Sequence, residues 1–385
     1  MHKIEINWRN LWKIYSSLIV MVIMIAYPLL DLQGALKKKG PNKKSHKSKK
    51  SIPSWIFQGI DADFSLFKNR IEQKNLETVW EICSEPAYEG HLFTRCQFLN
   101  DSIVLISPVP NHPRVDLLVK GLDKLRSTHK VPSADFIVCL GDSTYDKGGE
   151  LPFFEHYGVP LLVLSKHKGN KNEVLIPDCD ALSGYKVVNE AVELGDSSYP
   201  WKKKKSLIFW RGSTTGGGFG GEDWIHYGRS RLVLLSLNYP HLVNARFTSL
   251  CQGAEHNPDI LMRPELCDGW ISIQEQLQYK YLIDVDGNSA AWSRFYWTLL
   301  SQSVVFKQIT DNEEWFYKAL SPYVHYIPVA EDFSDLLEKI EWAKENEDEV
   351  QKIARNGTEF AAHHLSEEMI YTYLYYVIKR YAELQ

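Results

Sequence analysis

Three short segments place chemically capable residues directly after apolar runs, the position from which open α/β sheets present side chains to a ligand. They are Gly141-Asp142 after FIVCL, Arg211-Gly212-Ser213 after LIFW, and Asp286 to Arg294 after YLIDV. In LIFWRGSTTGGGFGG an arginine and a hydroxyl lead into a glycine-rich loop, whose N–H groups can approach an anion closely because no Cβ intervenes. An anion site at Arg211 and a plain structural turn both fit this segment. Gly216-x-Gly218-x-x-Gly221 satisfies the dinucleotide fingerprint only through glycine abundance, since no acidic residue follows near the twentieth position. No Gly-Lys-Ser/Thr closes a phosphate loop of the Walker kind either.

The segment YKYLIDVDGNSAAWSRFYWTLLSQSVVFKQ has the form strand, polar loop, helix and strand. Ser293 and Arg294 then fall in the first helical turn, where backbone potential and a fixed guanidinium can both meet phosphate oxygens. Gly287 lies in the loop before them. Asp284-Val285-Asp286 has the spacing of a DxD metal signature, but Asp284 belongs to an apolar strand pattern. Alternation along that strand is expected to turn one carboxylate away from the other, so no metal site is expected. Asp142 is a carboxylate able to take the proton of an attacking hydroxyl. A turn or N-cap role is its plain alternative, and Asp146 and Glu150 are competitors nearby.

Elements must carry these residues, and the chain is long enough to supply them. Its 385 residues, 44% hydrophobic and 24% charged, suffice for two globular domains. Strands are predicted over 102–106, 136–140 and 160–164, then over 207–210, 281–285, 304–307 and 324–329, giving two α/β units joined by the polar stretch 193–205. Helices are predicted over 334–346 and 347–364, and Ser366 is a suitable N-cap for a last one.

The net charge of −4 hides eight lysines within residues 37–50, so the rest of the chain is acidic and no nucleic-acid partner is expected. Residues 14–30 form an apolar run about 26 Å long as a helix, read as an uncleaved transmembrane anchor, with a cleaved signal peptide as the alternative. The lysine-rich stretch after it reads as a flexible stem, one that favours a cytoplasmic catalytic domain; a lumenal orientation is the alternative. Six cysteines without CxxC spacing give no zinc pattern. Cys83 with Cys96 and Cys251 with Cys267 are conceivable bridges in an oxidising compartment, and free buried thiols are the alternative.

In order along the chain, YPWKKKKSLIFWRGSTTGG, RSRLVLLS, YKYLIDVDGNSAAWSRF, SVVFKQ and PYVHYIPV resemble the glycosyltransferases of family 90. That family includes lipopolysaccharide-modifying and capsule-associated transferases and the animal protein O-glucosyltransferases. The resemblance, which runs from Asp135 to the C terminus, implies an α/β, GT-B-like fold in which two Rossmann-like domains enclose a donor cleft. On this reading 1–13 is a tail, 14–30 the anchor, 31–50 the stem, 51–195 the acceptor-side domain and 196–364 the nucleotide-sugar domain. Residues 365–385 are expected to form a helix packing back toward the first domain.

The resemblance also implies roles. The reaction is an inverting transfer from a UDP-sugar, UDP-glucose or UDP-xylose, with no cofactor and no required metal. Arg211 and Arg294 match the arginines that grip the donor's diphosphate; Gly212, Ser213, Asp286, Gly287 and Ser293 lie on the matching loops. FIVCLGDSTYD places Asp142 at the catalytic base, although Gly141, Ser143 and Thr144 depart from the animal pattern. The acceptor is therefore open between a glycan, a lipid-linked glycan and a protein hydroxyl. The rival from another class is a catalytically inactive glycan-binding or scaffold protein with the same fold.

Overall fold

Alternating apolar and amphipathic segments resolve into two five-stranded sheets in the computed structural model, which describes residues 52–99, 102–142, 144–146, 149–150 and 154–385. The first sheet contains β1 (Phe93–Leu99), β2 (Ser102–Ile106), β3 (Ala134–Cys139), β4 (Leu161–Val163) and β5 (Glu173–Leu175), in the order β2-β1-β3-β4-β5. β1 runs antiparallel to β2 and β3, whereas β3, β4 and β5 are parallel. Residues 102–106 are a strand as predicted, but at the sheet edge, where Val104 and Ile106 remain exposed. Its partner β1 escapes a hydrophobicity reading because FTRCQFL carries a buried arginine. Arg95 is accommodated by Glu77, at 2.7 and 2.8 Å, and by Asp135, at 2.6 and 2.8 Å.

The second sheet contains β6 (Lys205–Ser213), β7 (Val243–Ser249), β8 (Tyr279–Asp284), β9 (Val304–Gln308) and β10 (Ile327–Val329), all parallel, in the order β7-β6-β8-β9-β10. Alternation sorts its faces. Phe209, Leu282 and Val305 join the core that continues beneath the first sheet, while Ile208, Trp210, Tyr281, Ile283, Val304 and Phe306 form a second core on the far side. β10 begins at Ile327 rather than at 324, because Tyr323 takes a left-handed conformation and opens a turn.

Nine helices of eight residues or more cover the described sheets. They are α1 (Ser54–Asp63), α2 (Gln73–Cys83), α3 (Pro113–Thr128), α4 (Lys186–Ser198), α5 (Gly228–Asn238), α6 (Ser293–Leu300), α7 (Leu336–Glu345), α8 (Glu347–His364) and α9 (Glu367–Ala382). Most of the connecting stretch 193–205 is the end of α4 and a short turn, firmly packed. Gly195 lies against Leu277, and the Lys204 ammonium donates to Asp196 and to the Leu277 carbonyl.

α9 returns to the first sheet. Tyr371 donates to the Leu182 carbonyl at 2.6 Å, Tyr381 lies against Phe136 and Phe64, and the Gln385 amide bonds both main-chain groups of Asp135. The expected anchor over 14–30 and stem over 31–50 lie outside the described residues. Among the described residues no helix is long and apolar enough to cross a membrane, and all six cysteines are free thiols.

Candidate active site at the facing strand ends

Asp142 follows β3 by way of Gly141, which must be glycine. Its N–H donates to the His91 carbonyl at 2.8 Å, and a Cβ would come within 2.9 Å of that oxygen. α3 supplies Arg114 to the carboxylate. His112 caps the helix by accepting the Arg114 N–H, Pro113 occupies the first turn, and the guanidinium is thereby aimed from a rigid helix start. Arg114 Nη2 donates to Asp142 Oδ1 at 2.8 Å, and Nη1 to the Leu140 carbonyl at 2.7 Å. The same guanidinium lies 5.8 Å from the ring centroid of Trp292, just before α6. Asp142 Oδ2 accepts from Asn288 Nδ2 at 3.0 Å. The competitors Asp146 and Glu150 lie in a two-stranded ribbon, Tyr145–Asp146 with Gly149–Glu150.

Across from Asp142, β6 ends at Ser213 and the glycine loop begins. Thr214 anchors the loop, its hydroxyl donating to the Cys251 carbonyl at 2.9 Å and accepting the Cys251 N–H at 2.7 Å. Gly216 is left-handed at φ +93°, and a Cβ there would lie 2.7 Å from the Gly287 carbonyl oxygen. Its N–H donates to Asn288 Oδ1 at 3.0 Å. Arg229, in the first turn of α5, ties the two strand ends together. Its Nε donates to the Asp286 carbonyl and its Nη1 to the Ser213 carbonyl, each at 3.0 Å. Burial depresses its pKa. Gly287 passes so near that a Cβ would be 2.8 Å from Arg229 Nη2 and 2.7 Å from the Thr215 hydroxyl. Gly212 is likewise pressed against the Trp210 ring.

The two arginines singled out from sequence have separate sets of partners. Arg211 is held at the β6–β7 edge: Nη1 donates to the Trp210 carbonyl at 3.0 Å and to Asn244 Oδ1 at 2.9 Å, and Nη2 to Asp268 Oδ2 at 2.5 Å. Arg294, beside Ser293 at the start of α6, donates from Nε to the Ile283 carbonyl at 3.2 Å and from Nη1 to Gln276 Oε1 at 3.3 Å. Its Nη2 is buried without a hydrogen-bond partner. Burial lowers the Arg294 pKa to about 10, with Asp284 opposing the shift. Arg211 Nε is likewise buried without a partner, so each arginine keeps one guanidinium donor that an anion could take.

Asp284 and Asp286 do not part as alternation was expected to make them. Residues two apart on a strand share a side, and both carboxylates approach Lys307 Nζ, at 2.8 and 2.7 Å. An ammonium thus lies where a DxD pair would hold a metal ion. Asp286 Oδ2 also accepts from Thr310 at 2.5 Å and from Asn312 at 3.1 Å, so both its oxygens are engaged within the protein. Behind them lie two acids the sequence did not single out. Asp178 accepts from the N–H groups of Asp180 and Ala181 and from the Tyr185 hydroxyl, and burial pushes its pKa up to about 7. Glu314 accepts from the Tyr317 hydroxyl at 3.3 Å and is raised well above the carboxylate range, by burial first and Asp178 second.

The family model described as Glycosyl transferase family 90 matches residues 117–385, which include Asp142, both loops and α9. This chain belongs to glycosyl transferase family 90. Among curated family relatives, Protein O-glucosyltransferase 2 of Danio rerio is 28% identical over 345 residues, covering 86% of this chain and 62% of its own. Protein O-glucosyltransferase 3 of Homo sapiens is 34% identical over 277 residues, covering 68% of this chain and 49% of its own. The chain thus spans about half to three fifths of the length of these relatives. A solved glycosyltransferase from Rickettsia africae ESF-5 aligns at a TM-score of 0.36 and 12% identity over 58% of this chain and 63% of its own, a likeness too slight to argue from.

Within this family 90 chain, sequence reasoning missed Arg114, Arg229 and Asn288. Arg229 opens the RSRLVLLS block and Asn288 sits in DVDGN, so both were inside quoted segments. Arg114 had only the His-Pro-Arg helix start to signal it.

Proposed function

We propose that this chain is an inverting glycosyltransferase that moves a sugar, glucose or xylose, from a UDP-sugar to a hydroxyl of a glycan, lipid-linked glycan or protein. The observation that carries the reading is the placement of Asp142, held by Arg114 at one strand end and joined through Asn288 to the glycine loop at the other. In the reaction, the acceptor oxygen attacks the anomeric carbon as the bond to the diphosphate breaks. Asp142 takes the acceptor's proton, and the electron pair of the broken bond leaves on UDP. Arg294, with its open Nη2, receives the growing charge on the diphosphate, and Arg211 supports it from near the end of β6. Ser213, Gly287 and Ser293 line the same loops, with Gly212 and Asp286 shaping them. Lys307, lying between Asp284 and Asp286, favours a reaction that uses cationic side chains and not a metal ion at that place. Residues 14–30 fit the same reading as a single-pass membrane anchor.

The test is UDP release by the full chain with UDP-glucose and with UDP-xylose in separate arms, for wild type and Asp142→Asn. The substitution is expected to lower turnover by about 10²-fold or more while UDP still raises the melting temperature. Undiminished turnover in Asp142→Asn would overturn the assignment of the base. Failure of UDP to stabilise the wild type would overturn the donor.

A further inference from the structure

Asn288 is exposed, a setting in which water could satisfy its amide without help. Instead three of its four hydrogen-bonding positions are used. Nδ2 donates to Asp142 Oδ2 at 3.0 Å, while Oδ1 accepts from the Gly216 N–H at 3.0 Å and from Gln252 Nε2 at 2.8 Å. The preceding residue is itself fixed in place, since Gly287 packs on Arg229 and Thr215 and its N–H donates to the Ser289 carbonyl at 3.0 Å. Gln252 reaches Asn288 from a left-handed backbone, φ +57°, a conformation that costs a non-glycine residue energy and persists where surrounding contacts impose it. The amide therefore spans the gap between the proton acceptor on the first sheet and the glycine loop on the second. Among the described residues, no other side chain is hydrogen-bonded to both Asp142 and that loop.

We infer that Asn288 is a positioning residue that couples the donor loop to the base, so that Asp142 is aimed only when the loop around Gly216 is in place. This rests on the reading of Asp142 as the base. With Oδ1 held by the loop, the amide plane is fixed and its N–H directs Asp142 Oδ2. When the loop shifts, the amide turns and the carboxylate loses one of its two orienting partners. Arg114 remains as the other, and Arg229 is the nearby cation on the loop side.

The experiment compares the full chain carrying Asn288→Ala, Asn288→Asp, Gln252→Ala, Asp142→Asn and the double variant Asn288→Ala/Asp142→Asn. UDP release at saturating donor, donor KM and the thermal shift with UDP are measured for each. Asn288→Ala is expected to lower kcat roughly tenfold or more with donor KM and the UDP shift nearly unchanged, because misaim is felt in the chemical step. Gln252→Ala should lower kcat in the same direction by less. Asn288→Asp keeps the oxygen that accepts from Gly216 but sets a second carboxylate against Asp142. Its activity relative to wild type should therefore rise as pH falls from 8 toward 5 and a proton is shared. In the Asp142→Asn background, Asn288→Ala should remove little more of the residual activity. Wild-type kcat in Asn288→Ala, an effect confined to donor KM, or full additivity in the double variant would each overturn the coupling while leaving the base intact. Full activity in Asp142→Asn would overturn both.

Discussion

Asp178 is fully buried with three donors on its carboxylate and still carries a raised pKa, because burial outweighs those bonds and Asp180 adds to it. Its folded-state value of about 7 lies well above the 3.8 of an aspartate free in water. Between those values the folded protein holds a proton that the unfolded chain has released, so stability falls as pH rises through that window. Asp178→Asn keeps an oxygen for the Asp180 and Ala181 N–H groups and has no charge to desolvate. Its melting temperature relative to wild type should therefore be higher at pH 8 than at pH 5; an equal difference at both would contradict the sign. Asp142, Arg211 and Arg294 could be singled out as candidates in sequence because each follows an apolar strand or opens a helix within a few residues of one. Arg114 and Asn288 were not, since their bonds to Asp142 join positions 28 and 146 residues apart, and no local pattern encodes a pairing at that range.

The loop from Asp286 to Trp292 is an element whose shape depends on the absence of one side chain. Arg229 can reach the Ser213 and Asp286 carbonyls because Gly287 leaves room for its guanidinium. Gly287→Ala places a methyl group 2.7–2.8 Å from Thr215 and Arg229, so one of them must move. A loss of stability of about 1–3 kcal/mol is expected, with a larger loss of UDP-induced stabilisation, as denaturant unfolding with and without UDP would register. The strands bearing the site were legible because they are unbroken apolar runs, as parallel buried strands tend to be. β5, only three residues long, was not, nor were β1 and β7, which share a reason. Arg95 in the former, and Asn244 and Arg246 in the latter, interrupt the apolar pattern; Arg95 is buried only because Glu77 and Asp135 meet it, while Asn244 and Arg246 stay half-buried, the latter bonded to Ser236. The DxD reading erred more simply, since period two puts both aspartates on one side.

At the scale of the whole molecule, the first core runs from the first sheet onto one face of the second, through Phe209, Leu282, Val305 and the α6 residues Phe295, Tyr296 and Trp297. Tyr185 stacks on Tyr296 at 3.7 Å within this joint. α9 closes the first sheet with Ile370, Tyr373, Leu374, Val377, Ile378 and Tyr381, all buried. Each such side chain contributes about 1.5–3 kcal/mol when taken from water, a sum comparable with the whole net stability of an ordinary domain. A chain ending at residue 365 should therefore fail to give a soluble, cooperatively melting protein; a sharp thermal transition in that truncation would refute the role given to α9. The return of this helix also orders events during synthesis. The first sheet emerges from the ribosome early, but its closing surface is translated only after every strand of the second sheet, so the amino-terminal half must wait, partly uncovered, for the rest of the chain. Folding half by half during translation is thereby disfavoured, and a chaperone would find its exposed surface on the half that is made first.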